Sequence, residues 1–374
     1  MKAGAYKFRK WMFPLFAVLI ALILTLGILE LTAWALLHKK WERKPMVPSM
    51  EGIMLTAHGK RLKPNLELKL WHDETGHLVD FRSNSLGFRG KEISIPKPPG
   101  TIRVLVLGDS VTLQTALPED ETYTDLAGKI LSASFKVEVI NAAVTGVGLM
   151  EEIGILKENG LRVQPDVVLL GFYLNDSRPA WGFEKEYYKL SPRLIEFSKT
   201  IEQYSYLYKW IWKRLLARRY MRKDLASIWD WTRDYNQGGW KTSKADYLKV
   251  IQGAKLDFGS AWQEKSWDTI YSGLDELAGL GEKNNFKLMV LIFPATIQVK
   301  SEFGDDYPQQ KMMAYCREHS VPCLDLLPIF RQHMNEDTHF DYCHMTALGN
   351  QLIAKPVAEF LEPELDGIGK NQQH

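Results

Sequence analysis

Cysteine is scarce in this chain: 374 residues contain three, Cys316, Cys323 and Cys343. That number is too small, and odd, for a disulfide framework. No CxxC pair exists to build a structural zinc site. Charge of one sign is missing too. The 47 basic residues against 45 acidic give a net charge of +2, which excludes the global basic field of a nucleic-acid binder. Internal repeats and low-complexity tracts are absent, so a solenoid or a disordered chain is excluded. Charged residues at 25% and hydrophobic ones at 45% are ordinary for a globular protein. The length allows two or three domains, or one elaborated α/β domain.

What is present is unevenly spread. Mean hydropathy is −0.22, yet Trp11 to Leu37 is almost wholly apolar. A bilayer core needs about 20 such residues in a helix. The run is too long for a secretory signal and lacks a small-residue cleavage site after it, so residues 1–38 are expected to be an uncleaved anchor. Trp11 and Trp34 stand near its ends, where aromatic belts form. Glu30 is the anomaly; its nearness to the C-terminal end favours snorkelling to the interface over a helix–helix contact. Lys2, Lys7, Arg9 and Lys10 before the run balance Lys39, Lys40, Arg43 and Lys44 after it. Charge therefore sets no orientation.

Residues 39–100 carry many prolines and the turn-rich stretch LVDFRSNSLGFRG, which reads as a small β-rich lead-in or linker. From residue 101 the pattern changes. Short apolar runs at Arg103–Leu107, Val137–Ile140, Asp166–Phe172, Lys287–Phe293 and Pro322–Leu326 alternate with helix-like segments. Apolar runs of this kind suit strands buried on both faces of a parallel sheet, and the alternation predicts a doubly wound α/β domain over 101–374. An insertion at about 177–266 interrupts it. Within that insertion KWIWKRLLARRYMRK, Lys209 to Lys223, interleaves seven cations with aromatic and aliphatic residues and has no acid. A membrane-surface helix, a lid, a docking surface for an anionic polymer and a plain packed helix all fit it.

Ligands of doubly wound sheets bind at the carboxyl ends of the strands. Those ends read Gly108-Asp109-Ser110, then Asn141 to Gly148, then Gly171 to Asp176, with Asp341-Tyr-Cys-His344 before the last helix. Together they fit one acyl-transfer site. Serine is a poor nucleophile until a base removes its proton, and His344 titrates in the right range to be that base. Asp341 can hold its other ring nitrogen. An oxyanion needs fixed donors: the N–H groups of Ser110 and Gly146 and the side-chain amide of Asn175 are available. Taken singly, each residue reads as a turn, a cap or a loop glycine.

These blocks resemble those of the SGNH/GDSL hydrolases, a flavodoxin-like family of esterases, lipases and carbohydrate acetyl-esterases. The resemblance covers roughly 102–176 and 288–361. It implies a three-layer αβα fold around a central parallel sheet, here preceded by one transmembrane helix and the lead-in. By that resemblance Ser110, Gly146, Asn175 and His344 are the four signature positions and Asp341 the triad acid, with Asp109 and Asp176 in support. Val111 stands where the family's serine block has leucine, and three residues rather than one separate Gly171 from Asn175.

His333, His339, Asp341, Cys343 and His344 lie close in sequence but match no zinc spacing, and Cys343 has no separate base. Neither a metal nor a cofactor is expected. Asn175-Asp-Ser177 is a glycosylation sequon, and a glycan there would block the site. The expectation is a single-pass protein of a bacterial inner membrane, with its catalytic domain toward the periplasm or the exterior. Its partners would be the bilayer and an acylated glycan or lipid. Two alternatives stand beside an esterase: an O-acyltransferase using the same acyl-enzyme, and a non-catalytic scaffold for polysaccharide assembly.

Overall fold

The computed structural model describes residues 2–42, 52–56, 59–72, 76–177, 197, 201, 204–211 and 230–371. The chain divides into two compact units. One joins residues 1–45 to 185–222; the other joins 46–184 to 223–374.

In the larger unit, strands β1 (Ile53–Thr56) and β2 (Gly59–Leu62) form one antiparallel hairpin, and β3 (Glu67–His72) and β4 (His77–Arg82) a second. The central sheet follows: β5 (Ile102–Gly108), β6 (Val137–Asn141), β7 (Val167–Tyr173), β8 (Lys287–Phe293) and β9 (Cys323–Asp325). All its pairings are parallel and the spatial order is β6-β5-β7-β8-β9. That is the flavodoxin-like order, with its switch point between β5 and β7. Every residue of β5 and β7 is buried, as continuous apolar runs require. Each expected strand is present, with ends shifted by a residue or two.

Helix α1 (Lys2–Glu42) opens the chain. In the larger unit come α2 (Ser110–Leu113), α3 (Tyr123–Leu131) and α4 (Leu149–Glu158). Helix α5 (Tyr206–Ile211) belongs to the smaller unit. Then follow α6 (Asp230–Gln237), α7 (Lys244–Gly253), α8 (Glu264–Asn284), α9 (Thr296–Lys300), α10 (Tyr307–Glu318), α11 (Leu327–Gln332) and α12 (Ala347–Asn371). Helix α3 packs on α12, and α4 on α8. These pairs form the helical layers that flank the sheet, so the fold is a three-layer α/β sandwich.

From residue 46 the lead-in lies in the same compact unit as the sheet. Arg89 is buried, and its guanidinium donates to the carbonyl oxygens of Leu113, of Gln114 at 2.6 Å and of Leu117 at 2.6 Å. The C-terminal carbonyls of α2 thus gain a cationic cap. Burial lowers the Arg89 pKa to about 10, against the opposing pull of Glu119 and Asp125.

In the smaller unit, Phe16–Leu37 is an apolar stretch of 22 residues with mean hydropathy 2.4, long enough to cross a bilayer. The snorkelling expected of Glu30 gives way to a helix contact. Glu30 Oε2 accepts from Ser205 Oγ at 2.6 Å, and Oε1 from the N–H of Tyr206 at 2.6 Å. Of the basic segment Lys209–Lys223, residues 212–223 lie outside the described part.

Candidate active site

Strand β5 ends in Gly108, and the chain turns at once into α2. Asp109 caps that helix, its Oδ1 accepting from Val111 N at 2.8 Å, so Ser110 becomes the first helical residue. The turn needs room. A Cβ on Gly108 would lie 2.5 Å from Thr112 Oγ1, and one on Gly171, its register partner on β7, 2.4 Å from the same atom. Gly171 is therefore a packing glycine that lets α2 settle over the strand ends, whatever its spacing from Asn175. Asn141 ties the next loop down: its Nδ2 donates to Thr112 O at 2.9 Å, and its Oδ1 accepts from Ala143 N at 3.1 Å.

Gly146 has φ +66°, a backbone that favours glycine. Its carbonyl oxygen accepts from Lys60 Nζ at 3.1 Å. Lys60 also donates its backbone N–H to Glu151 Oε1 at 3.0 Å. Thus β2 of the lead-in holds the loop that presents the Gly146 peptide.

His344 and Asp341 share one loop. Asp341 Oδ2 lies 2.6 Å from His344 Nδ1. Its Oδ1 accepts from the backbone N–H of His344 at 2.6 Å and of Cys343 at 2.8 Å. Three bonds fix this carboxylate and aim the ring. The loop is anchored from outside: Thr296 Oγ1 and Tyr235 OH donate to Asp341 O at 2.8 and 3.1 Å. Burial disfavours charge on both partners, but their mutual attraction and hydrogen bonds outweigh it. The Asp341 carboxyl lies below its ordinary range and the His344 imidazolium above its own. Asp109 and Asp257 also raise His344, so the residue preceding Ser110 acts electrostatically on the imidazole.

Asn175 is buried. Its Nδ2 donates to Asp257 Oδ1 at 3.2 Å, and Tyr342 OH donates to Asp257 Oδ2 at 3.2 Å. Asp257, 3% exposed, therefore joins the third strand end to the histidine loop. The sequence reading missed it because a lone aspartate in an insertion carries no motif. Asp176 accepts from Tyr173 N at 2.8 Å through its carboxylate and from Leu149 N at 2.9 Å through its carbonyl, which makes it a loop fastener. Glu152, also missed, is fully buried, and among the described residues neither carboxyl oxygen has a hydrogen-bond partner. Burial, then the carboxylates of Asp176, Asp109 and Glu151, push its pKa well up.

Asp341, Cys343 and His344 offer ligand atoms within 4.8 Å of one another. The set does not suit a metal. Asp341 is committed to the loop, and burial followed by the Asp341, Asp257 and Asp109 charges pushes the Cys343 thiol well up. A neutral thiol is a poor ligand and a poor nucleophile. His339 is buried and its pKa falls to about 3 through desolvation, so it stays neutral. His333 pairs with Glu336 at 2.7 Å instead.

A cleft of about 470 Å³ adjoins the histidine loop, lined among others by Tyr235, Trp240, Lys241, Lys300, Asp341 and Tyr342. A second cavity of about 550 Å³ lies by α10 and Asp325, and no candidate site residue lines it.

No protein-family model matches the sequence, and no curated protein matches it. Solved structures do resemble it. A catalytic mutant of an acetylxylan esterase from Geobacillus stearothermophilus is 11% identical, with 71% of this chain and 96% of that one covered and a TM-score of 0.41. A lipase/acylhydrolase from Enterococcus faecalis is 12% identical, covers 70% and 96%, and has a TM-score of 0.38. A Desulfitobacterium hafniense protein described as lipolytic, of the G-D-S-L family, is 11% identical, covers 69% and 99%, and has a TM-score of 0.39. At these TM-scores the likeness adds nothing to what the strand order already gives, and the chemistry must come from the site itself.

Proposed function

We propose that this protein is a membrane-anchored serine esterase. The observation that carries the reading is the Asp341–His344 pair at 2.6 Å, with Ser110 opening the helix that follows β5. Ser110 Oγ attacks an ester carbonyl while His344 takes its proton, and Asp341 steadies the imidazolium that results. The C–O bond to the alcohol breaks, and the alcohol leaves with the proton from His344. Water, deprotonated by the same ring, then releases the acid and frees Ser110. The N–H groups of Ser110 and Gly146 and the Asn175 amide are the donors for the oxyanion.

The substrate in this reading is an O-acyl ester, acetyl foremost, of envelope carbohydrate or lipid. The aromatic rings and lysines of the cleft beside the histidine loop suit a sugar, and the apolar helix Phe16–Leu37 suits an anchor in the envelope membrane. The catalytic domain then faces outward, where such substrates are. Transfer of the acyl group to a sugar hydroxyl instead of water uses the same acyl-enzyme.

The test is fluorophosphonate labelling of the full chain in detergent, read by peptide mass spectrometry, with Ser110→Ala as control. Labelling confined to Ser110 is expected. An unlabelled, folded chain sinks the esterase reading and favours a tethered scaffold.

A further inference from the structure

Within the smaller unit a complete hydrogen-bond account can be drawn for the start of α5. The first N–H groups of a helix have no partner inside it. Here the N–H of Tyr206 donates to Glu30 Oε1 at 2.6 Å and that of Leu207 to Glu30 Oε2 at 3.3 Å. The N–H of Tyr208 donates to Ser205 Oγ at 3.0 Å, and Ser205 Oγ donates in turn to Glu30 Oε2 at 2.6 Å. Ser205 N is bonded to Ile201 O at 3.0 Å, and Lys209 N to Ser205 O at 3.0 Å begins the ladder. Every backbone N–H from Ser205 to Lys209 thus has an acceptor.

Such thorough satisfaction has a physical reason at this depth. Glu30 stands seven residues before Leu37, the end of the apolar stretch, hence about 10 Å inside it along the helix axis. In hydrocarbon neither a lone carboxylate nor an open helix start is tolerated; here each satisfies the other. The packing agrees. Among the described residues from Phe16 to Leu37, only Glu30, Ala33 and Leu37 are not exposed. They fall at i, i+3 and i+7, one stripe of the helix, and Ala33 is small enough to admit a close neighbour. The other faces of the stretch expose leucine, isoleucine and phenylalanine all round, as a lipid-facing helix does. Tyr204 is 81% exposed, Trp34 47% and Trp210 39%, and Tyr206 and Tyr208 are half-buried. Rings with one polar end gather at the membrane–water boundary.

We propose that residues 204–211 are a second membrane element, seated in the bilayer against the C-terminal third of the transmembrane helix and locked there by Glu30. The inference rests on the membrane-anchored part of the proposed function. Its consequence is a protein held to the membrane at two places, by its N-terminal helix and by the insertion between β7 and β8. The partner is the lipid bilayer itself.

Nitroxide labels on the full chain, reconstituted in phosphatidylcholine–phosphatidylglycerol vesicles, test this through collision with oxygen, which concentrates in lipid, and with a nickel chelate, which stays in water. Labels go on Val18→Cys in the span, Trp210→Cys in α5 and Leu248→Cys on the larger unit, with the unlabelled-site chain as blank for the native cysteines. The expected result is oxygen-dominated collision at positions 18 and 210 and nickel-dominated collision at 248, with position 210 turning nickel-dominated in the Glu30→Ala background. A nickel-dominated 210 beside an oxygen-dominated 18 overturns the second membrane element alone. A nickel-dominated 18 overturns the anchor and this inference together. An oxygen-dominated 210 that ignores Glu30→Ala overturns the lock.

Discussion

Lys60 Nζ donates to the carbonyl oxygen of Gly146 at 3.1 Å, across 86 residues of chain. The lead-in thereby grips the loop whose N–H is a proposed oxyanion donor. The bond fixes the Gly146–Val147 peptide, the one that follows the proposed donor N–H, and so limits how far the Gly146 backbone can turn, which suits preorganised oxyanion binding. Lys60→Met should lower kcat by about tenfold, or ~1.4 kcal/mol, and leave KM nearly unchanged. Steady-state kinetics on a short-chain ester decide it; a rise in KM with kcat intact would assign Lys60 to substrate binding instead.

The pH profile follows from the histidine loop. His344 must be neutral to act as base, and its pKa lies above the ordinary value of about 6.5. Activity should therefore fall as pH drops, with the acid limb centred above 6.5. Stability runs the other way for this group: its contribution is full below about 6.5 and fades as pH rises through the folded value. Asp341, held below its ordinary range, contributes stability above about 3.9 and loses it only in stronger acid. Asp341→Asn should cut kcat by about 10³–10⁴-fold. A kcat/KM profile flat from pH 5 to 8 rules out the imidazole as base.

Asp257 orients two site residues at once, through Asn175 Nδ2 and Tyr342 OH. Asp257→Ala leaves both donors without that acceptor in a buried setting, at a cost of about 1–3 kcal/mol. Melting temperature and kcat should both fall. Asp257→Asn keeps the shape and one acceptor oxygen, so stability should largely return while kcat recovers only in part. Full catalytic recovery would mean the residue is structural alone.

Glu152 is buried with a raised pKa and, among the described residues, no hydrogen-bond partner for its carboxyl oxygens. The folded state keeps it protonated after the unfolded chain has released its proton, so wild-type stability falls as pH climbs above about 4.3. Glu152→Gln removes that slope. The variant should melt higher than wild type at pH 8 and close to it at pH 4, by calorimetry at both values. Equal melting at pH 8 would place an ionised Glu152 in the folded protein.

Much of the candidate site was legible because its residues sit where strand ends and helix starts fall in the sequence. Asp341 and His344 are three residues apart in one loop, and such local pairs survive translation into a fold. The apolar runs of β5, β7 and β8 declared themselves because a strand buried on both faces has no polar alternation to disguise it. Lys60, Arg89, Glu152 and Asp257 were not legible. Lys60, Arg89 and Asp257 bond to residues 24 to 91 positions away, and Glu152 is pressed by carboxylates of Asp109 and Asp176, none of which local spacing announces. Glu30 was visible as an anomaly, but its partners at Ser205–Leu207 were not.

The sequence by itself determined the local choices: where strands start and stop, which stretch is apolar enough to cross a membrane, and which strand ends carry a serine, a glycine, an asparagine and an Asp-x-x-His. Those follow from hydropathy, turn chemistry and short-range geometry, which act over a few residues. Only the tertiary structure decided that Lys60 of the lead-in holds the Gly146 loop, that Asp257 bridges Asn175 to Tyr342, and that Glu30 receives the start of α5. Buried polar groups must find partners wherever the fold brings them, and chain closure, not sequence neighbourhood, selects which ones meet.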